Sequence, residues 1–395
     1  MDGAVERRPR FEQGILYVAF FLMGLGAVLV YSATVYTASL PTDPTTAGDG
    51  VFFLRKHLTS LAFGMVFLAI TTFLPFEWFR RLAVPALVGG ILAMVAVLLV
   101  GEERLGAVRW FRIGGFWAQP GEVVKLAFVV WMSYSLTKKA DTIRRFSVGV
   151  LPHFLAALLL ALLFVAQPDL GSAALLFVVL VALLYISGTK WQYIASVALV
   201  GMLATSALIL TSEERMSRVR TWLDPDQEPE DSWQLKHAKA GIAAGGLTGQ
   251  GLGSGKENVA GYVPQRESDF IFAVLGEETG FLGCLLVVAA YAYILWRGML
   301  LAARVKDPFA RYLAAGCVLV IVLQAAVNIG VASGLLPTKG LTAPLLSSGG
   351  SSILVICCCI GIVLNVSRTQ PRLVKVSPDG NEAVDASVVY VREGA

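Results

Sequence analysis

The stretch Ile15–Tyr36, "ILYVAFFLMGLGAVLVYSATVY", runs for 22 positions without a charged side chain. At 1.5 Å per residue, a helix of that length covers a hydrocarbon core of about 30 Å. Only a helix or a closed barrel satisfies every backbone polar group in lipid, so this run predicts a transmembrane helix. It is longer than a signal-peptide core and no cleavage site follows it, which predicts an uncleaved anchor. Comparable runs recur near 57–74, 82–100, 120–137, 148–166, 169–187, 191–211, 269–296, 309–334 and 344–366. With 56% hydrophobic and 15% charged residues and a mean hydropathy of +0.69, the 395-residue chain reads as an all-α, polytopic membrane protein of ten transmembrane helices.

Charge sets the expected orientation. The N-terminal segment carries Arg7, Arg8 and Arg10, and the connections "TKKADTIRRF" and "RGMLLAARVKDPFAR" are also basic. The positive-inside rule puts these on the cytoplasmic side, with both termini inside. The expected organisation is a cytoplasmic tail at 1–14, a membrane domain at 15–367 and a cytoplasmic tail at 368–395 that is polar and poorly ordered. Segments 37–56, 101–119 and 212–268 then face outward, the last being the one large extracytoplasmic loop. A net charge of +4 spread over cytoplasmic loops needs no nucleic acid partner. The five cysteines all fall in apolar runs as small hydrophobes, and His57, His153 and His237 lack ligand spacing.

Within the large loop, Ser232 is placed to cap a helix reaching Ala244, with Lys236, His237 and Lys239 on it, lying at the membrane surface. A glycine-dense stretch follows, "GIAAGGLTGQGLGSGKENVAGYVP". It fits neither nucleotide motif: Gln250 and Glu257 occupy positions where a phosphate loop needs Gly and Ser or Thr, and Lys256 stands where a dinucleotide fingerprint needs its third glycine. Two readings stay open, backbone amides approaching a ligand or a tightly folded loop.

Four carboxylates cluster in "VPQRESDFIFAVLGEETG", Val263–Gly280: Glu267, Asp269, Glu277 and Glu278. Asp269 is expected to begin the eighth span, where a helix N-terminus favours an anion. Glu277 and Glu278 follow roughly 12 Å deeper along a continuous helix, turned about 80° and 180° from Asp269, and are assigned to structure or helix pairing. Elsewhere, "GEERLGAVRWFRIGGFWA" interleaves Arg109 and Arg112 with aromatics, as an interfacial anchor or as a phosphate-recognising loop. It leads into "QPGEVVKLAFVVW", where Glu122 and Lys125 are three apart and face one another on a helix. Asp169 in "FVAQPDLGSAALLF" belongs to a tight turn or to the same polar end as Asp269. "LLPTKGLTAPLLSSGGSS" brings Lys339 and its serines there too, while Gln324 and Asn328 add polar groups to the ninth span.

Taken in order, "AVRWF", "QPGEVVK", "QPDLGSA", "GGLTGQGLGSGK", "SDFIFAVLGEETG" and "PTKGLTAPLLSSGGSS" resemble the SEDS family (shape, elongation, division and sporulation), and within it the division branch. The resemblance covers about 15–368. It implies a peptidoglycan glycosyltransferase of the bacterial cytoplasmic membrane that polymerises lipid II at the division septum and releases undecaprenyl pyrophosphate. It also implies a class B penicillin-binding protein as transpeptidase partner, with other divisome membrane proteins around it. The family's essential aspartate maps to Asp269, and its motif Glu, Lys and polar Asp map to Glu122, Lys125 and Asp169. The common family form "PEAHTDF" is altered, with Gln265 in place of Glu and Glu267 in place of His, so Glu267 is the candidate replacement carboxylate. Glycosyl transfer needs a base for the acceptor hydroxyl, assigned to Asp269. It also needs positive charge for the leaving pyrophosphate, with Arg109, Lys125 or a divalent cation such as Mg or Mn as candidates; Lys339 completes the substrate-binding set. Two other classes of function are weighed, a lipid II transporter and a non-catalytic division scaffold.

Overall fold

The computed structural model describes residues 5–8, 12–40, 46–104, 106–114, 116–224, 229–255, 267–338, 340–369 and 372–375. Helices α1 (Gln13–Ala38), α2 (Phe52–Phe73), α3 (Glu77–Val100), α4 (Pro120–Lys138), α5 (Leu151–Ala166), α6 (Leu170–Ile186) and α7 (Trp191–Leu210) follow in order. Two shorter helices, α8 (Glu213–Leu223) and α9 (Pro229–Gly245), precede α10 (Ile271–Arg304), α11 (Pro308–Ala332) and α12 (Gly350–Thr369). Every expected span coincides with one of these helices. Among the described residues, eight are long and apolar enough to cross a membrane: α1, α2, α3, α5 with the π-helical turn before it, α7, α10, α11 and α12. Helix α6 is apolar but only 17 residues long, and α4 carries Glu122, Lys125 and Lys138 along its 19 residues.

The bundle is layered by burial. Helices α11 and α12 form its centre, with most of their side chains buried, whereas α7 buries Val197 alone. Apolar attraction between helices is weak in lipid, so close approach through small residues does more of the packing. Along the α2–α12 seam Gly64 lies against Cys357 and Ile353, and Gly361 lies against Thr71 and Leu68. A Cβ on either glycine would collide, so these two helices touch backbone to side chain.

Two features depart from the all-α expectation. Segment 101–119 forms a three-stranded antiparallel sheet, β2 (Glu102–Arg104), β3 (Ala107–Ile113) and β4 (Phe116–Ala118), because its β-branched and aromatic residues between Gly106 and Gly114 suit hairpins. The terminal segments also pair, β1 (Val5–Arg8) with β5 (Arg372–Lys375) in antiparallel register, so both tails meet at one end of the bundle. The same end is tied by ion pairs from Arg297 to Glu12 at 2.7 Å and from Arg80 to Asp307 at 2.6 Å.

At the opposite end lie the sheet β2–β3–β4, the α5–α6 turn, α8, α9, the start of α10 and the α11–α12 connection. Helix α9 begins at Pro229, so Ser232 is buried inside it rather than capping it. It packs on α10 with Ile242 and Gly245 against Gly276 and Gly241 against Glu277.

Candidate active site

Asp269 sits in the turn before α10, which starts two residues later at Ile271. The helical-wheel relation expected between it and Glu277 or Glu278 therefore does not hold. Three contacts fix the turn. The Asn328 amide donates to the Asp269 carbonyl at 2.9 Å, the Ser347 hydroxyl donates to the Ser268 carbonyl, and the Ser348 amide donates to the Glu267 carbonyl at 2.8 Å. Gly340 lies directly against the carboxylate, since a Cβ there would stand 2.8 Å from Asp269 Oδ2. Removal from water pushes the Asp269 carboxyl up to about 6; Glu267 and Asp169 add to this as like charges, while a Ser268 hydrogen bond and Arg109 pull the other way.

Tertiary structure thus gathers Asp269, Glu267, Asp169 and Arg109 into one electrostatic neighbourhood. Arg109 projects from β3, and its sheet is fastened to α12: the Ser351 hydroxyl donates to the Trp117 carbonyl at 3.2 Å and accepts from the Gln119 amide at 3.0 Å. Asp169 also performs the local role its turn suggested, capping α6 by accepting from the Ser172 amide at 3.0 Å.

Glu122 and Lys125 form a buried ion pair at 2.7 Å on the first turns of α4. Lys125 Nζ reaches Gln324 Oε1 at 3.3 Å, and Gln324 Nε2 donates to the carbonyl and hydroxyl of Thr342 and, at 2.9 Å, to Ser352. Gln324 and Asn328 lie one helical turn apart on α11, so one helix face touches both the ion pair and the Asp269 turn. Sequence reasoning had these amides only as polar groups in a span; their i, i+4 spacing was the available signal. The serines of "SSGGSS" were likewise seen only as a polar run, yet each contributes a contact named above.

Three expectations fall on undescribed positions. Lys339 lies outside the described residues, as do the 256–264 end of the glycine-dense segment and Gln265 after it. The earlier part of that segment is a tightly folded loop docked on a break in α10. Gln250 and Gly251 amides donate to the carbonyls of Glu277 and Glu278 at 3.0 Å each, and Phe281 and Leu282 amides donate back to Gly246 and Leu247. The break centres on Gly280, with φ 66° and ψ −164°. Glu277 and Glu278 are buried at this junction, and Glu278 accepts from the Ser32 hydroxyl of α1 and from the Gly253 amide. Among the described residues no group of three or more His, Cys, Asp or Glu side chains is placed to hold a metal ion. An apolar crevice of about 580 Å³ beside the break, lined by Ile242, Phe272, Phe281 and Cys284, carries no ionised group.

A bundle of apolar helices with charged and amide side chains converging at one end defines a multi-pass membrane protein with a polar reaction site. Residues 12–372 match the profile of the family described as "Cell cycle protein", that of FtsW, RodA and SpoVE, and the chain belongs to this family. It is 36% identical over 364 residues to the probable peptidoglycan glycosyltransferase FtsW of Trichlorobacter lovleyi, covering 91% of this chain and 94% of that one. The protein of the same name from Escherichia coli O6:H1 is 35% identical over 344 residues, 86% of this chain and 81% of that one. Among solved structures, a chain described under structural coordination of polymerization and crosslinking by a peptidoglycan synthase complex superposes with a TM-score of 0.74. It is 27% identical, over 91% of this chain and 98% of that chain. The rod shape determining protein RodA of Thermus thermophilus superposes with a TM-score of 0.68 at 27% identity, over 91% and 97%.

Proposed function

We propose that the chain is a peptidoglycan glycosyltransferase that polymerises lipid II during septal wall synthesis, with Asp269 as general base. The observation that carries the assignment is a half-buried carboxylate held by its own carbonyl, raised toward neutrality and within reach of the charge of Arg109. In the reaction, the acceptor sugar hydroxyl attacks the anomeric carbon of the donor as its proton passes to Asp269. The bond from that carbon to the pyrophosphate oxygen breaks, and undecaprenyl pyrophosphate leaves as an anion. No acid is required for that departure, so a single carboxylate suffices, unlike the pair used in glycoside hydrolysis. Arg109, whose charge acts on Asp269, is the proposed partner of the developing phosphate charge; Lys125, engaged by Glu122 and Gln324, tunes the site from beneath. Lys339 and Glu267 complete the proposed substrate contacts.

The proposed setting has ten spans, with α4 and α6 counted among them, both tails cytoplasmic, and the Asp269 end facing outward beneath the septal wall. A class B penicillin-binding protein crosslinks the strands. The membrane bilayer supplies the lipid-linked substrate laterally. A transport path would leave the amides of α11 lining a water-filled route; Gln324 and Asn328 instead hold backbone carbonyls and Lys125, which favours synthesis over transport.

The deciding experiment is polymerisation of labelled lipid II by the purified chain with its transpeptidase partner, wild type beside Asp269→Ala and Asp269→Asn. Loss of polymer from both variants supports the base assignment, and undiminished polymer from either sinks it. An inactive wild-type complex together with flipping in proteoliposomes would restore the transport reading.

A further inference from the structure

A primary amide has two N–H donors, and Asn328 commits both to main-chain carbonyls, Asp269 at 2.9 Å and Leu341 at 2.7 Å. That pattern fixes the amide's orientation, since the flipped form would set its oxygen against two other oxygens. Asn328 Oδ1 is buried without a partner, a desolvation cost that an apolar residue would avoid. The residue is therefore useful for its donors rather than for packing. One turn earlier, Gln324 accepts from Lys125 and donates to Thr342, the residue next to the Leu341 carbonyl that Asn328 holds, and to Ser352 on α12. Both amides thus grip one short strap, residues 340–349 ahead of α12, at the adjacent Leu341 and Thr342, and each touches a different part of the proposed machinery.

Resting on the glycosyltransferase reading, we propose that Gln324 and Asn328 are positioning residues that set the distance and angle between Asp269 and the Lys125–Glu122 pair through this shared strap. Neither touches substrate. Their effect is on where the base stands relative to the reacting hydroxyl, a quantity to which rate is steep while ground-state binding is nearly flat.

The test uses the full chain with its transpeptidase partner and steady-state polymerisation of labelled lipid II. Asn328→Ala is expected to lower kcat ~100-fold with KM changed less than about threefold, and to move the acid limb of the pH–rate profile. Asn328→Ser, which keeps one donor, should recover part of that loss. Gln324→Glu keeps an acceptor for Lys125 but loses the donor to Thr342, and should also lower kcat at unchanged KM. Because both amides act through one strap, the Asn328→Ser, Gln324→Glu double variant should lose less than the product of the two single losses. Should Asn328→Ala fail to fold, the Ser and Glu variants carry the same test. Unchanged kcat and pH profile in them, a rise in KM alone, or strictly multiplicative losses would each overturn the proposal. Asp269→Ala run alongside separates the two claims: if it polymerises normally, the base assignment has failed and the positioning role falls with it, whereas an inactive Asp269→Ala beside unaffected Asn328 and Gln324 variants overturns the positioning role alone.

Discussion

Gly340 stands against the Asp269 carboxylate so closely that a methyl group on it would lie 2.8 Å from Oδ2, inside van der Waals contact. The strap residue thereby sets how far the carboxylate can swing. Gly340→Ala is expected to displace it by a few tenths of an ångström and to reduce kcat by roughly 10- to 100-fold. Thermal unfolding in detergent should change little, because the collision is with the movable end of one side chain. Wild-type turnover in this variant would show that the carboxylate has room the contact denies.

The acid limb of activity should follow Asp269. A base must be ionised, so polymerisation should rise with pH through a midpoint of about 6, above the ordinary carboxylate range. Stability should move the opposite way. A carboxyl whose folded value is raised binds its proton more tightly folded than unfolded, so that contribution is whole below about 4 and is lost as pH climbs through about 6. Asp269→Asn, permanently neutral, should then raise the melting temperature more at pH 8 than at pH 4. An equal change at both values would argue against desolvation as the dominant cause.

Lys125 and Glu122 are fully desolvated, so each makes the other tolerable. Removing one partner leaves a buried charge: Lys125→Met alone should cost about 3–5 kcal/mol of unfolding free energy. The double variant Glu122→Gln, Lys125→Met should regain more than half of it, though not the activity. Reversible unfolding in mild detergent measures the cycle, and additive losses would contradict the pairing.

The break in α10 predicts a sharp contrast between glycines. At Gly280 the backbone occupies a region open almost only to glycine, and a Cβ would meet Leu247 and Gly249 of the docked loop. Gly280→Ala should therefore cost ~1–3 kcal/mol from backbone strain alone and loosen the loop, seen as faster proteolysis near 246–255. Gly24, on an open face of α1 with nothing nearby, is the control: Gly24→Ala should leave stability unchanged or raise it by up to about 1 kcal/mol.

Sequence alone determined the membrane class and the position of every long helix, because a hydrocarbon core imposes one rule on composition and length that acts locally along the chain. It also marked Asp269, Glu122, Lys125, Asp169 and Arg109 as polar residues out of keeping with their surroundings. The helix faces were misjudged where geometry stopped being local: α10 was read as continuous from Asp269 onward, yet it starts at Ile271 and breaks at Gly280. The hairpins of 101–119 and the pairing of the two tails were also invisible, since strand partners 364 to 370 residues apart leave no periodic trace. Only tertiary structure decided that "SSGGSS" and two amides on α11 would join Asp269 to Lys125. Hydrogen-bond partners on different helices are selected by packing, and the sequence records the donors without recording whom they meet.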